Sequence, residues 1–528
     1  MKRFGIILAI FMVVVIVGCS VSSSKDNTND DKKENTNATD DQQEEKSEQQ
    51  ELIIADQEIA ASLDPVEPLT SSYLRNIGAA EALFKVNAKG EVEPSLAESA
   101  EEINDTTWEI NLRTEASFWS GEAIDADAVI ASLERSKSLD LQAEPFLNEL
   151  SFTKVDDYTI QVETEHAKQP VPLNLSYYQT VIHNADKSYE DIDSMDLSGM
   201  YKVTSFSPAQ KMELELNENY WGETPSIPKI VHEQISDAQT RALSVLSGSS
   251  DIAIKVPVTS LTQFAESDEA ETISAPPANT QTIYLNLDQP QFENEKVRQA
   301  LSWGLNREEL VELGAEGQST PVTTWLASNP TYEEAKNAVY PEYDPDKAEA
   351  LLDEAGWGKD AEGTRSKDGE TLTVKLMTWG DDQALGETIQ NQWTQIGVQV
   401  EVQHGDYNLI QTARESGEWD ASIEAWSTFG DEHALLTGQF SPDGSGNYGG
   451  YNDEQTNQLL DDLAEITDPQ ARRELALQIN ERVAEQAPVI SLYPRPQLTA
   501  VSTKLNGFEA HFRQFEHTVH AGLSFGTE

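Results

Sequence analysis

Asp344-Pro-Asp-Lys-Ala-Glu-Ala-Leu-Leu-Asp-Glu-Ala-Gly-Trp357 reads as a helix with both ends marked. Asp344 is an N-cap residue, Pro345 takes the first helical position, where its missing N–H costs nothing, and Gly356 closes the last turn. Downstream, Val398-Gln-Val-Glu-Val402 alternates apolar with polar residues, the period of a half-buried strand. The same two patterns recur in both directions. Trp108-Glu-Ile-Asn-Leu112, Tyr158-Thr-Ile-Gln-Val162 and Met212-Glu-Leu-Glu-Leu216 alternate as strands do. Asp468-Pro469 opens a second capped helix with Leu475, Ile479 and Val483 on one stripe, and Val297, Leu301 and Leu305 mark a third. No internal repeat stands out. The fold class is α/β (mixed α+β) with mixed sheets.

At 528 residues the chain exceeds one ordinary core, so two or three domains are expected. A hydrophobic fraction of 38% supports a packed interior rather than disorder. The formal net charge of −57 argues against nucleic acid, whose phosphates need clustered Lys and Arg, and against a basic membrane-binding face. It reads instead as a solubility device suited to high salt or high pH. The single cysteine, Cys19, excludes an internal disulfide and a cysteine-built metal site.

The N-terminus explains that cysteine. Met1-Lys2-Arg3 precedes an apolar run from Phe4 to Val17, the length of a signal h-region and short for a membrane span. Ile16-Val17-Gly18-Cys19 resembles a bacterial lipobox, which implies cleavage before Cys19, its lipidation, and a chain tethered at the outer face of the cell membrane. Residues 20–50 are almost all polar and hold nine acids against four lysines between Val21 and Gln50, the composition of a disordered acidic tether.

Several segments then occur in order. Ser62-Leu-Asp-Pro65, Glu81-Ala-Leu-Phe84 and Pro94-Ser-Leu-Ala-Glu-Ser99 come first, followed by Phe118-Trp-Ser-Gly121 and Leu133-Glu-Arg135. Asn217-Glu-Asn-Tyr-Trp-Gly222, Arg241, Tyr284-Leu-Asn286, Val297-Arg-Gln-Ala300, Leu305-Asn-Arg307 and Ala355-Gly-Trp357 follow. Read alone, each is a turn, a buried helix face or a cap. As an ordered set from Glu51 to the C-terminus they resemble the peptide/nickel family (family 5) of extracellular substrate-binding proteins of ABC transporters. The resemblance implies a two-lobed periplasmic-binding-protein-like fold. Lobe I would comprise 51–84, 197–282 and 485–528, an inserted domain 85–196, and lobe II 283–484. The hinge would lie near Tyr284-Leu-Asn286 and Pro488-Val-Ile490. It further implies a monomer without chemistry or cofactor of its own. Such a monomer closes on a small solute, a short peptide or a metal chelate, and passes it to permease subunits, with the lipid anchor as its membrane contact.

The resemblance also nominates ligand-binding residues. Trp426 matches an aromatic position of lobe II. Three residues on, where the peptide-binding branch carries an aspartate for the peptide amine, stands Phe429, with Asp431 nearby as a substitute. Trp426, Asp431, His433 and Ala434, preceded by Arg414, Gly417 and Trp419-Asp420, have the spacing of the nickel-binding branch, but Gln179 stands where that branch carries an arginine. Tyr73 and Arg75 would line the cleft floor, with Arg75 supplying the missing cation. Tyr177 and Tyr178 are further candidates, and Arg495 a weaker one. His511, His517 and His520 invite a metal reading, yet only Glu516 accompanies them, and no metal site is assigned. A secreted, lipid-anchored hydrolase is the competing class. No G-x-S-x-G elbow, H-E-x-x-H, P-loop or Rossmann fingerprint is present, while Ser, His and Asp remain available for a triad.

Overall fold

The computed structural model describes residues 51–274, 278–332, 335, 343–405, 407–513, 516 and 518–526. The signal segment, Cys19, the acidic tether and His517 lie outside them.

Glu51–Asp56 (Glu-Leu-Ile-Ile-Ala-Asp) is apolar on both faces and becomes the middle of a seven-stranded sheet. It pairs in parallel with Lys229–Gln234 on one side and Ile252–Ile254 on the other. Antiparallel strands extend the sheet outward: Lys211–Leu216 and Tyr201–Ser207 at one edge, Leu498–Ser502 and Ala270–Ser274 at the other. A five-stranded sheet runs in the order Gln399–Gly405, Thr373–Trp379, Ala421–Ser427, Asn279–Leu285 and Val489–Pro494. Residues 97–164 supply a four-stranded antiparallel sheet covered by the helix Ala126–Leu139. Each sheet organises its own apolar core, around Leu52 and Ile230, around Leu301 and Ile423, and around Ile110 and Val162.

All four alternating segments are strands, each within three residues of the expected limits. Asp344 and Asp468 cap their helices by accepting the backbone N–H of Lys347 and Ala471. The ordered motifs have structural explanations. Asp64 and Arg135 join in a bidentate pair at 2.8 and 2.6 Å, tying the motif after the first strand to the helix over the four-stranded sheet. Arg241, Arg298 and Arg307 are buried and donate to backbone carbonyls, those of Ile254, Phe292 and Ser491 among them. At Gly222 an added Cβ would lie 2.6 Å from the Tyr220 ring, so the turn accepts only glycine there.

Along the chain Ala270–Ser274 of the seven-stranded sheet precedes Asn279–Leu285 of the five-stranded one, and Val489–Pro494 of the second precedes Leu498–Ser502 of the first. Tyr284 and Ile490, where the hinge was expected, instead sit within paired strands, Asn279–Leu285 and Val489–Pro494. Two ladder-bonded strands are poor places to absorb a rotation, and 279–282 and 489–494 pair within the five-stranded sheet.

Candidate functional site

Alternation along Ala421-Ser-Ile-Glu-Ala-Trp-Ser427 divides the five-stranded sheet into two faces. Ala421 and Ile423 point with Ile283, Leu285, Val374 and Leu376 into a helix-covered apolar core. The opposite face brings Ser422, Glu424 and Trp426 opposite Tyr284, Thr282 and Thr280. Met377 and Trp379 come from the neighbouring strand, and Tyr407, Ile410, Trp419 and Tyr448 close over them.

This second face is polar and aromatic. Glu424 is 1% exposed and ion-paired to Arg414. It also accepts from Tyr407 Oη at 3.2 Å. The Arg414 guanidinium lies 3.6 Å from the Tyr448 ring centroid and 5.6 Å from that of Trp419, a cation–π arrangement. Burial lowers the Arg414 pKa from its ordinary value, which the neighbouring tyrosines oppose. Tyr448 in turn meets Trp426 at 6.2 Å and Tyr284 at 5.5 Å. Trp379 meets Tyr407 at 5.1 Å, and the Arg495 guanidinium lies 5.6 Å from the Trp379 ring. Trp379 Nε1, Trp426 Nε1 and Arg414 Nε are buried and make no hydrogen bond within the protein.

Asp56 ends one of two adjacent parallel strands of the seven-stranded sheet and Lys255 directly follows the other, the place where open α/β sheets receive ligands. Lys255 adopts φ +56°, a left-handed conformation unusual for a residue with a side chain. Burial depresses its pKa, and Asp56 opposes that shift. Arg495 and Asp382, 3.8 Å apart, belong to the five-stranded side, and Arg495 is among the charges that act on Lys255. Burial raises the Asp382 pKa.

The nominated residues divide into three groups. Trp426 is half-buried within the aromatic face. Tyr177 and Phe429 meet each other: Tyr177 Oη donates to the Phe429 carbonyl at 2.9 Å. The Tyr177 ring is sandwiched by Phe146 at 3.9 Å and the Arg513 guanidinium at 4.1 Å. Phe429 packs edge-on to Phe512 at 4.8 Å. Gly430 follows, and an added Cβ would stand 2.7 Å from Tyr177 Oη. Tyr178 lies beside this group, its hydroxyl pKa pushed up to about 12 by burial.

The remaining three are held by the scaffold. Asp431 is an N-cap, accepting Ala434 N–H at 2.8 Å through Oδ1 and Arg472 at 2.9 Å through Oδ2. Arg75 is fully buried, ion-paired to Glu516 at 2.6 Å and donating to the Ser176 carbonyl. Tyr73 is buried 6.1 Å from the His232 ring, and burial with Asp56 nearby raises its pKa. Gln179 is buried as well. His511 Nδ1 accepts from Arg513 N–H and His520 Nδ1 from Gly522 N–H. Among the described residues no cluster of three metal-ligating side chains forms, and no helix is long and apolar enough to cross a membrane.

Sequence reading missed Trp379, Tyr407, Glu424, Tyr448 and Lys255. For Glu424 the signal was present, because alternation places it on the face of Trp426. For the others it was not, since their proximity is set by strand order and helix placement.

Comparison with known proteins agrees with this architecture. Residues 91–447 match the family model for bacterial extracellular solute-binding proteins, family 5 Middle. The nickel-binding periplasmic protein of Escherichia coli (strain K12) is 28% identical over 391 residues, 69% of this chain and 72% of that one. The oligopeptide-binding protein AppA of Bacillus subtilis (strain 168) is 23% identical over 454 residues, 81% and 83% of the two chains. Among solved structures, NikA from Brucella suis in complex with Fe(III)-EDTA superposes with a TM-score of 0.80 at 21% identity, covering 90% of this chain and all of that one.

Proposed function

Since this chain belongs to the bacterial extracellular solute-binding proteins of family 5, we propose that it captures a small solute, a short peptide or a metal chelate, for an ABC importer. In this reading the seven-stranded sheet with the inserted 85–196 region forms one lobe and the five-stranded sheet the other. The connection at 495–497 is then part of the hinge. The solute touches both lobes and selectively stabilises the closed form, which the permease recognises. Cys19 carries the lipid that keeps the receptor at the outer face of the membrane, and the protein acts as a monomer.

The observation that carries this reading is the polar aromatic face around Trp426. A sheet face in a stable core would carry apolar residues, as the other face does. Here a buried ion pair and two indoles stand in their place, close to the residues that end the parallel strands of the opposite sheet. Related proteins named for nickel and for oligopeptides mark the two candidate solute classes.

Two measurements test it. Mass spectrometry and metal analysis of full-length protein purified under native conditions should find a stoichiometric small solute. Its removal and return should expand and contract the particle in small-angle scattering. A scattering curve unchanged by every extracted solute would count against capture by closure. Separately, Cys19→Ser should release the protein into the medium.

A further inference from the structure

The aromatic face of the five-stranded sheet has a polarity of its own. A box of Trp and Tyr around a buried carboxylate is ordinarily a site for a cation. That role is already filled from within: Arg414 neutralises Glu424 and lies over Tyr448. The other carboxylate nominated for an amine, Asp431, is held by Ala434 and Arg472. What the face still offers is donors. Trp379 Nε1, Trp426 Nε1 and Arg414 Nε are buried N–H groups with no acceptor in the protein. Indole and guanidinium nitrogens donate and cannot accept, so only an acceptor satisfies them. A buried donor left unmatched is destabilising until an acceptor reaches it. Arg495, whose side chain is 30% exposed and lies 3.8 Å from Asp382, places a guanidinium beside Trp379.

We infer that this face receives a carboxylate of the captured solute, which accepts from the Trp379 and Trp426 indoles, with the partly exposed Arg495 side chain as the cation beside them. The inference rests on the solute-capture reading and fixes which end of the solute enters here. Arg414 is a positioning residue: it keeps Glu424 neutralised so that a second negative charge can approach. An amine at this place would meet two indole N–H groups and two guanidiniums, while the nearby carboxylates of Glu424 and Asp382 are already ion-paired to Arg414 and Arg495. A peptide therefore enters with its C-terminus toward the five-stranded sheet, and a chelate with a metal-ligating acid.

Calorimetric titration of the full chain, freed of bound solute, uses two matched probe sets. One is tri-alanine, its N-acetyl form and its C-terminal amide; the other is the nickel–histidine and nickel–histidinamide complexes. Amidation of whichever acid binds should cost roughly tenfold or more, the worth of one charged hydrogen bond, and acetylation far less. Trp426→Phe and Arg495→Met should each weaken the acid several-fold and leave the amide's weaker binding nearly unchanged. Circular dichroism should show the native fold in both variants. Equal binding of acid and amide, a larger loss on acetylation than on amidation, or variants that weaken acid and amide alike would overturn the inference. So would failure of both acids to bind. In each of these cases solute capture stands or falls separately, on closure around the co-purified solute in scattering.

Discussion

The two faces of the five-stranded sheet share strands, twist and register, yet they are built from different chemistry. On one face Leu301, Ile389, Trp393 and Ile423 pack with essentially no exposure, and the Trp393 indole donates to the Leu301 carbonyl at 2.9 Å. On the other, Glu424 and Arg414 form a buried ion pair among Trp379, Tyr407, Trp426 and Tyr448, and several donors stay unmatched. The first face minimises free energy in isolation. The second does not, because burying a charge pair in place of apolar side chains is often neutral or costly. A fold retains such a face when something other than stability depends on it, and the apolar face supplies the stability that offsets it.

Trp393→Ala should produce the largest effect. It opens a cavity in the apolar face and strands a carbonyl, for a loss of about 4–5 kcal/mol read from the urea midpoint. Arg414→Met comes next. It leaves Glu424 buried and unpaired at a cost of about 3–4 kcal/mol, whereas Arg414→Met with Glu424→Gln should regain most of it. If the single and double variants unfold at the same midpoint, the pair does not behave as a unit and the contrast between the faces weakens.

A third change compares the charged pair with a buried polar group that stays neutral. His183, beneath the helix Ala126–Leu139, is fully buried against Ser132 and Arg135, and its pKa falls from 6.5 to about 4, chiefly by burial. The folded pKa lies below the unfolded one, so the unfolded chain takes up the proton first. The stability tied to neutral His183 is therefore intact above pH 6.5 and lost as pH falls toward 4, by roughly 2–3 kcal/mol. His183→Gln should flatten the urea midpoint across that window. An unchanged slope would mean that His183 titrates normally. Trp426→Phe should have the smallest effect on stability, within about 1 kcal/mol, because the packing lost with the smaller ring is offset by removal of a buried N–H that bonds to nothing among the described residues. A large loss there would make Trp426 a core residue after all.

The apolar face was legible in the sequence and the polar one only in fragments. Caps at Asp344 and Asp468, and the alternation along Val398–Val402, depend on neighbours within a few residues, so local reading suffices. Asp431 shows how that reading can be overlooked. Its side chain lies three residues before the N–H of Ala434, the same cap pattern, but proximity to Trp426 drew it into the ligand set. Arg75 is a different case. Its partner Glu516 lies 441 residues away, and no periodicity reports a pair closed by the tertiary fold. Trp379 and Tyr448 reach Trp426 through strand order and chain return, which composition does not encode.

Glu51–Asp56 lies between two parallel neighbours in the middle of its sheet. A pull on the chain ahead of Glu51 is directed along that strand, so it loads both ladders at once in shear instead of peeling them open one bond at a time. An optical-trap pull through this end should meet a higher rupture force than a pull through the edge strand Ala270–Ser274, held on one side only.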